Sequence, residues 1–175
     1  MTDYAVDVTR ISREAHRTMA AELTDERVVS VLNDVIATEV VGWLRRTRDA
    51  LAVRGAGDRE VADLFTDHAE QGMQHAVAVA ERIAALGGRP NFDPDTLAQR
   101  AHTDYSVPAG AELTAMVERA LHADRIVVSS YREIAGWLGD RDPGTRRLVE
   151  SLADDVGRSA DALAALLAAR ARRPS

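Results

Sequence analysis

The sequence predicts an all-α fold: a bundle of four long helices, with one long crossover between the second and third and a short helix in front. Three observations predict it. Four segments repeat apolar residues at spacings of three and four, the period of one helix face. Aromatic residues make up only 4% of the 175-residue chain and prolines number 5, too little material for a β-sandwich. The connection from about Gly88 to Gly110 is far longer than the roughly 2–8 residues that join adjacent antiparallel helices, and suits a crossover along the whole bundle.

The elements follow in order. From about Tyr4 to Leu23 the chain is weakly amphipathic, with Val8, Ile11, Ala15 and Met19 on one side. Residues 1–24 are therefore read as a helical extension and residues 25–175 as the bundle domain. Thr24 caps the first bundle helix, with Asp25 and Glu26 in its first turn, where acids meet the positive end of the helix dipole. Its stripe is Val28, Leu32, Val35, Ile36, Glu39, Trp43 and Leu51, and Gly55 to Gly57 end it. Asp58 starts the second helix, whose stripe is Val61, Phe65, His68, Gly72, His75, Val79 and Ile83. Gly87-Gly88 stop it and Pro90 prevents its continuation. Within the crossover, Pro94 to Ala101 is a candidate short helix.

The third long helix runs from about Ala111 to Leu138 on a stripe of Leu113, Val117, Ala120, Asp124, Val127, Tyr131, Ile134 and Leu138. A tight turn, Gly139 to Asp142, leads to Pro143, which suits the first position of a helix. The last helix, about Pro143 to Ala171, carries Leu148, Leu152, Asp155, Ser159, Ala162 and Leu166, with Arg158 adjoining.

Composition excludes several functions. The chain has no cysteine, which removes disulfides, thiolate metal sites and cysteine nucleophiles. A net charge of -6 argues against a general nucleic-acid binder. No apolar run is long enough to span a membrane, and Met1 to Arg10 is too polar for a signal peptide, so a cytoplasmic protein is expected.

Each of the four stripes holds polar residues at its centre. A carboxylate set among core positions must be paired, protonated or bound to a metal. A mid-helix glycine costs about 1 kcal/mol relative to alanine, so Gly72 needs a reason. Helices of about 28 residues are roughly 42 Å long, so their midpoints can share one cross-section. That would gather Glu39, His75, Asp124 and Asp155, with Arg158 one turn along. Carboxylates and imidazoles converging inside a bundle are the donor set of di-iron or di-manganese sites.

The segments LNDVIATEVVGWLRR, HAVAVAERIAALGGRPNFDPDTLAQRAH and ADRIVVSSYREIAGWLGDRDPGTRRLVESLADD resemble the ferritin-like superfamily in its bacterioferritin-related branch. The resemblance covers about Val28 to Leu167 and implies a ferritin-like four-helix bundle that forms a homo-oligomer of at least two copies. The family's di-iron pattern is Glu on the first helix, Glu-x-x-His on the second, Glu on the third and Glu-x-x-His on the fourth. Carried over, the first Glu is Glu39, the second motif is Gly72-x-x-His75, the third acid is Asp124 and the last motif is Asp155-x-x-Arg158. Two of six ligands are intact.

A guanidinium cannot ligate iron, and among Glu39, Asp124 and Asp155 it would offset charge that metals otherwise balance. The centre is therefore read as a degenerate metal site turned into a buried ion cluster, in a protein that is not a ferroxidase and serves as a scaffold or in a divergent iron-related role. One alternative is iron or manganese binding for iron oxidation and storage, with a single residual ion on Glu39, His75, Asp124 and Asp155, and His68 as a further candidate. A second is a small-ligand binder or enzyme using a cavity near Gly72, which a side chain such as that of Trp43 could otherwise fill. By the same resemblance Met73 falls where some relatives place an axial haem ligand, though packing is the plainer role. His16, His102 and His122 lie off the stripes and are expected at the surface.

Overall fold

The structure, a computed structural model, describes residues 24–105 and 112–172. Within them the chain forms α1 (Asp25–Gly55), α2 (Arg59–Ala85), α3 (Pro94–Arg100), α4 (Leu113–Leu138) and α5 (Pro143–Ala171). Helices α1 and α2 pack as one hairpin and α4 and α5 as another, while α3 lies against α1 in the crossover. This is the expected all-α bundle of four long helices, with its crossover between the second and third. Among the described residues no helix is long and apolar enough to cross a membrane. The expected leading helix, Tyr4 to Leu23, lies outside the described residues.

Local chemistry sets the helix ends. Thr24 Oγ1 accepts from Arg27 N at 3.4 Å and Asp58 Oδ1 from Val61 N at 3.2 Å, so two N-termini are side-chain capped. The end of α2 is a Schellman motif: Gly87 N donates to Ala84 O and Gly88 N to Ile83 O, with Gly87 at φ 75°. Gly88 has a separate reason, since a Cβ there would stand 2.6 Å from a Val29 methyl. At the other hairpin, Asp142 accepts from Thr145 N at 3.0 Å and caps α5. Arg82 from α2 reaches over to Asp142 at 3.0 Å and Thr145 Oγ1 at 2.7 Å, tying the two hairpins at one end.

The apolar interior divides in two. One cluster gathers Leu32, Ile36, Val79, Ile83, Leu138 and Val149 at the α3 end; the other gathers Val53, Val61, Phe65, Val117 and Leu163 at the opposite end. Between them the stripes of α1, α2 and α4 turn polar.

The stripes of α2 and α4 match the expectation, apart from Leu113, which is only half-buried. Two others do not. On α1, Trp43 is half-buried and Leu51 is 62% exposed; the buried row runs instead through Glu39, Gly42, Arg46, Ala50 and Val53. On α5 the buried row is Val149, Leu152, Val156, Ser159, Ala160 and Leu163, so its axis lies about one residue from the expected one. Leu148, Ala162 and Leu166 flank it, and Asp155 moves to its edge.

Candidate polar centre of the bundle

The polar layer starts from Glu39, which is 4% exposed on α1. Tyr131, fully buried on α4, donates its hydroxyl to Glu39 Oε1 at 2.7 Å. His75 on α2 places Nδ1 at 3.4 Å from the same oxygen. That nitrogen makes no well-directed hydrogen bond, so charge is the main attraction there. Its other nitrogen, Nε2, lies 3.2 Å from Asp155 Oδ2 on α5. Tyr131, Glu39, His75 and Asp155 thus form a row that links all four long helices.

Burial alone would lower the pKa of His75, but the negative charges of Glu39 and Asp155, with the hydrogen bond to Asp155, outweigh it and hold the imidazole above its usual 6.5. Tyr131 is pushed up by burial and again by Glu39, which keeps its proton available for donation. At Gly72 the interior is already filled: a Cβ would stand 3.3 Å from Glu39 Oε2 and 3.5 Å from Glu39 O. The Glu39 carboxylate thus stands against the side of α2 that Gly72 leaves bare.

The second part of the layer centres on Asp124, which is fully buried on α4. Its Oδ1 accepts from Arg46 of α1, whose side chain is 10% exposed. Asp124 Oδ2 and Arg46 Nε are both buried without a hydrogen-bond partner. Burial drives the Asp124 pKa upward, with Arg46 and Arg45 pulling against it. Arg45 points into the crossover and donates to Asp104 O at 2.8 Å and Thr103 Oγ1 at 3.3 Å. Burial pulls the Arg45 pKa down.

His68, 9% exposed, is held neutral by burial and the nearby Arg46, its pKa lowered to about 4. His102 was expected at the surface and is 7% exposed instead. Its backbone N donates to Thr38 Oγ1 at 2.9 Å, and its ring meets Tyr131 edge-on with centroids 6.3 Å apart. Burial lowers its pKa to about 4. His122 is exposed as expected, and His16 lies outside the described residues.

The expected acids and His75 do enter the layer, but Arg158 does not neutralise all three carboxylates. Its side chain is 71% exposed and meets only Asp155, one turn away on the same helix. The cation at Asp124 is Arg46, which sequence reasoning missed. It stands seven residues after Glu39, with Gly42 between, so counting on from Glu39 in steps of three and four would have found it. Met73 is half-buried on α2. Among the described residues no three histidine or carboxylate side chains converge as they would around a metal ion. An open groove of about 580 Å³ on α4 and α5, lined by Leu121, Arg125, Ser129, Gly157 and Asp161 among others, shares no residue with this layer.

Comparison with known proteins agrees with the fold. One curated relative, the DNA protection during starvation protein of Halobacterium salinarum, is 29% identical over 118 residues, 66% of this chain. The match spans 65% of that relative's length. Among solved structures, the dodecameric thioferritin described as the bacterioferritin-related protein of Bacteroides fragilis superposes with a TM-score of 0.81. It is 24% identical, and the match covers 91% of this chain and 95% of that one, a likeness of fold. The Ferritin family model, described as the ferritin-like domain, matches residues 29–172. The chain belongs to the ferritin-like domain family.

Proposed function

We propose that this protein is a ferritin-like bundle whose two-metal centre has been replaced by a fixed network of ion pairs and hydrogen bonds. In this reading it is a non-ferroxidase, homo-oligomeric scaffold in the cytoplasm. The observation that carries the reading is Arg46 on Asp124, which places a permanent cation on the acid that the family pattern assigns to metal. The other donors are engaged too. Glu39 receives Tyr131 and faces His75, Asp155 sits between His75 and Arg158, and position 72 has no side chain to offer. This donor set does not fit two metal ions, because three acids and one imidazole, all already partnered, would have to hold both. Homo-oligomer formation is supported by the solved neighbour of Bacteroides fragilis, which is described as dodecameric.

One observation favours the reading in which iron or manganese is still handled. His75 stands between two carboxylates, donor types that such ions take. Metal analysis of protein purified from iron- and manganese-supplemented cells separates the two, combined with a test for oxygen-dependent Fe(II) oxidation. Less than 0.1 equivalent of metal and no oxidation above the buffer rate are expected. One tightly bound equivalent would move the assignment to the single-ion reading, and two would end the proposal.

A further inference from the structure

We infer that the open groove on the α4–α5 hairpin binds a small organic phosphate monoester, of the size of a sugar phosphate or a mononucleotide. This goes beyond the scaffold reading and uses no residue of the polar layer, so neither depends on the other.

Three observations carry it. Arg125, Ser129 and Arg132 line the α4 side of the groove. Spacings of four and three residues put them on one helix face, with the hydroxyl between two arginines roughly 10 Å apart along the axis. Two long guanidinium side chains so placed can close on one anionic group from both sides. The second observation is that these charges find no acid within the chain. Arg46, Arg54, Arg82, Arg146, Arg158 and Arg170 each reach a carboxylate. Among the described residues Arg125 and Arg132 reach none, although Asp161 lines the same groove. The third is Gly157, on the α5 side. A glycine weakens a helix interior, and nothing lies within 4 Å of where its Cβ would stand, so no neighbour demands it. Its missing side chain leaves the groove its width.

The lining selects the ligand. A phosphate monoester brings nearly two negative charges and three acceptor oxygens, enough for both guanidiniums and the Ser129 hydroxyl. A single carboxylate would leave one arginine unused. At about 580 Å³ the groove falls within the roughly 300–1,000 Å³ of small-molecule sites, far more than inorganic phosphate fills. Leu121, Val128 and Ala160 offer apolar surface for a ring, and the exposed Asp161 carboxylate accepts from hydroxyl or amino groups. Glu133, the other acid of the lining, already has a partner and does not have to be met by the ligand.

The test titrates the full chain by calorimetry with adenosine monophosphate, ribose 5-phosphate, adenosine and inorganic phosphate. At least one of the two esters is expected to saturate at one per chain with a Kd below about 1 mM. It should bind about tenfold or more tighter than adenosine and inorganic phosphate, since each lacks half of the required chemistry. Equal affinity for the two esters assigns the site to sugar phosphates, and tighter binding of adenosine monophosphate assigns it to nucleotides. Arg125→Gln with Arg132→Gln should weaken the bound ester about tenfold or more. Gly157→Leu, which fills the groove and keeps both arginines, should do the same. Arg59→Gln with Arg147→Gln removes equal charge from exposed positions outside the groove and should leave binding unchanged. Circular dichroism checks that each variant is folded. The inference is overturned if neither ester saturates, or if adenosine or inorganic phosphate binds as tightly as the better ester. It is equally overturned if Gly157→Leu or the groove arginine pair binds like the parent, or if the control pair loses as much as the groove pair.

Discussion

Asp124 and Asp155 each meet an arginine in the same bundle, and the two pairs share chemistry but not surroundings. Asp124 is reached by Arg46 from another helix, with side chains 0% and 10% exposed. Asp155 is reached by Arg158 from its own helix, with side chains 23% and 71% exposed. In the first pair both charges have left water, so each depends on the other. In the second, water and His75 share the stabilisation of Asp155, and Arg158 is one partner of several. Burial decides which arginine belongs to the core of the molecule.

The largest expected effect follows from that difference. Arg46→Ala leaves Asp124 charged and unpaired in the interior and should destabilise by about 3–5 kcal/mol. Urea unfolding followed by circular dichroism measures it. Replacing both partners by apolar groups, Arg46→Met with Asp124→Leu, should recover most of that loss, because breaking a buried pair costs more than removing it. An Arg46→Ala loss below about 1 kcal/mol would place the pair in the same class as Asp155 and Arg158, and the contrast would fail.

Acid titration probes the same burial through a neutral group. His102 has a folded pKa of about 4 against 6.5 for the free side chain. The unfolded chain therefore binds its proton first as pH falls. Stability from this residue is complete above about pH 6.5 and is lost progressively down to about pH 4, in total on the order of 3 kcal/mol. His75 runs the other way. Its folded pKa is raised, so its contribution is complete below 6.5 and is lost as pH rises through the folded value. Urea midpoints from pH 4 to 8 should accordingly fall on the acid side. His102→Gln should make that limb shallower, His68 supplying a like share of it, while His75→Gln should remove the loss on the alkaline side. An acid limb that His102→Gln leaves as steep as the parent's would show that this histidine is not held neutral.

A smaller effect is expected at Gly72. Gly72→Ala gains about 1 kcal/mol of helix propensity but places a methyl 3.3 Å from Glu39 Oε2. The carboxylate is held by Tyr131 and faces His75, so it has little freedom to give. The gain should be cancelled, with a net change within about 1 kcal/mol of zero. The same substitution at exposed Gly136, with nothing within 4 Å of its Cβ, should realise the full gain. Equal stabilisation at both positions would mean that Glu39 does not fill the space at Gly72.

These residues also explain how far the sequence could be read. The stripes of α2 and α4 were legible almost throughout because their polar members sit in phase with strong apolar neighbours such as Phe65, Val79, Val117 and Leu138. On α1 the apolar Trp43 and Leu51 drew the stripe off its axis. The true row passes through Gly42 and Arg46, residues that hydrophobic periodicity counts as polar-face. On α5 alanines are so frequent that rows one residue apart look alike, and the axis was read beside Leu163 instead of through it. Asp155 and Arg158 were consequently given too central a place. His102 lies in the crossover, where no period exists and burial depends on how the segment drapes over Thr38 and Tyr131. Spacing from Glu39 puts Arg46 on the buried row of α1, but its choice of Asp124, 78 residues on, depends on how the helices pack.

Arg158 gives the smallest effect and the most direct check on that account. The family pattern places it on the last ligand position, and a central Arg158 balancing three acids would be indispensable. With its side chain 71% exposed and a partner one turn away, it is a helix-surface ion pair. Arg158→Ala should therefore destabilise by no more than about 0.5 kcal/mol. Even that difference should vanish in 1 M salt, where the Debye length falls to about 3 Å. Asp155 keeps His75 at 3.2 Å, so the row across the bundle survives the substitution and the alkaline limb of the His75 titration should persist. A loss approaching that of Arg46→Ala, unaffected by salt, would return Arg158 to the centre of the network and erase the distinction between the two pairs.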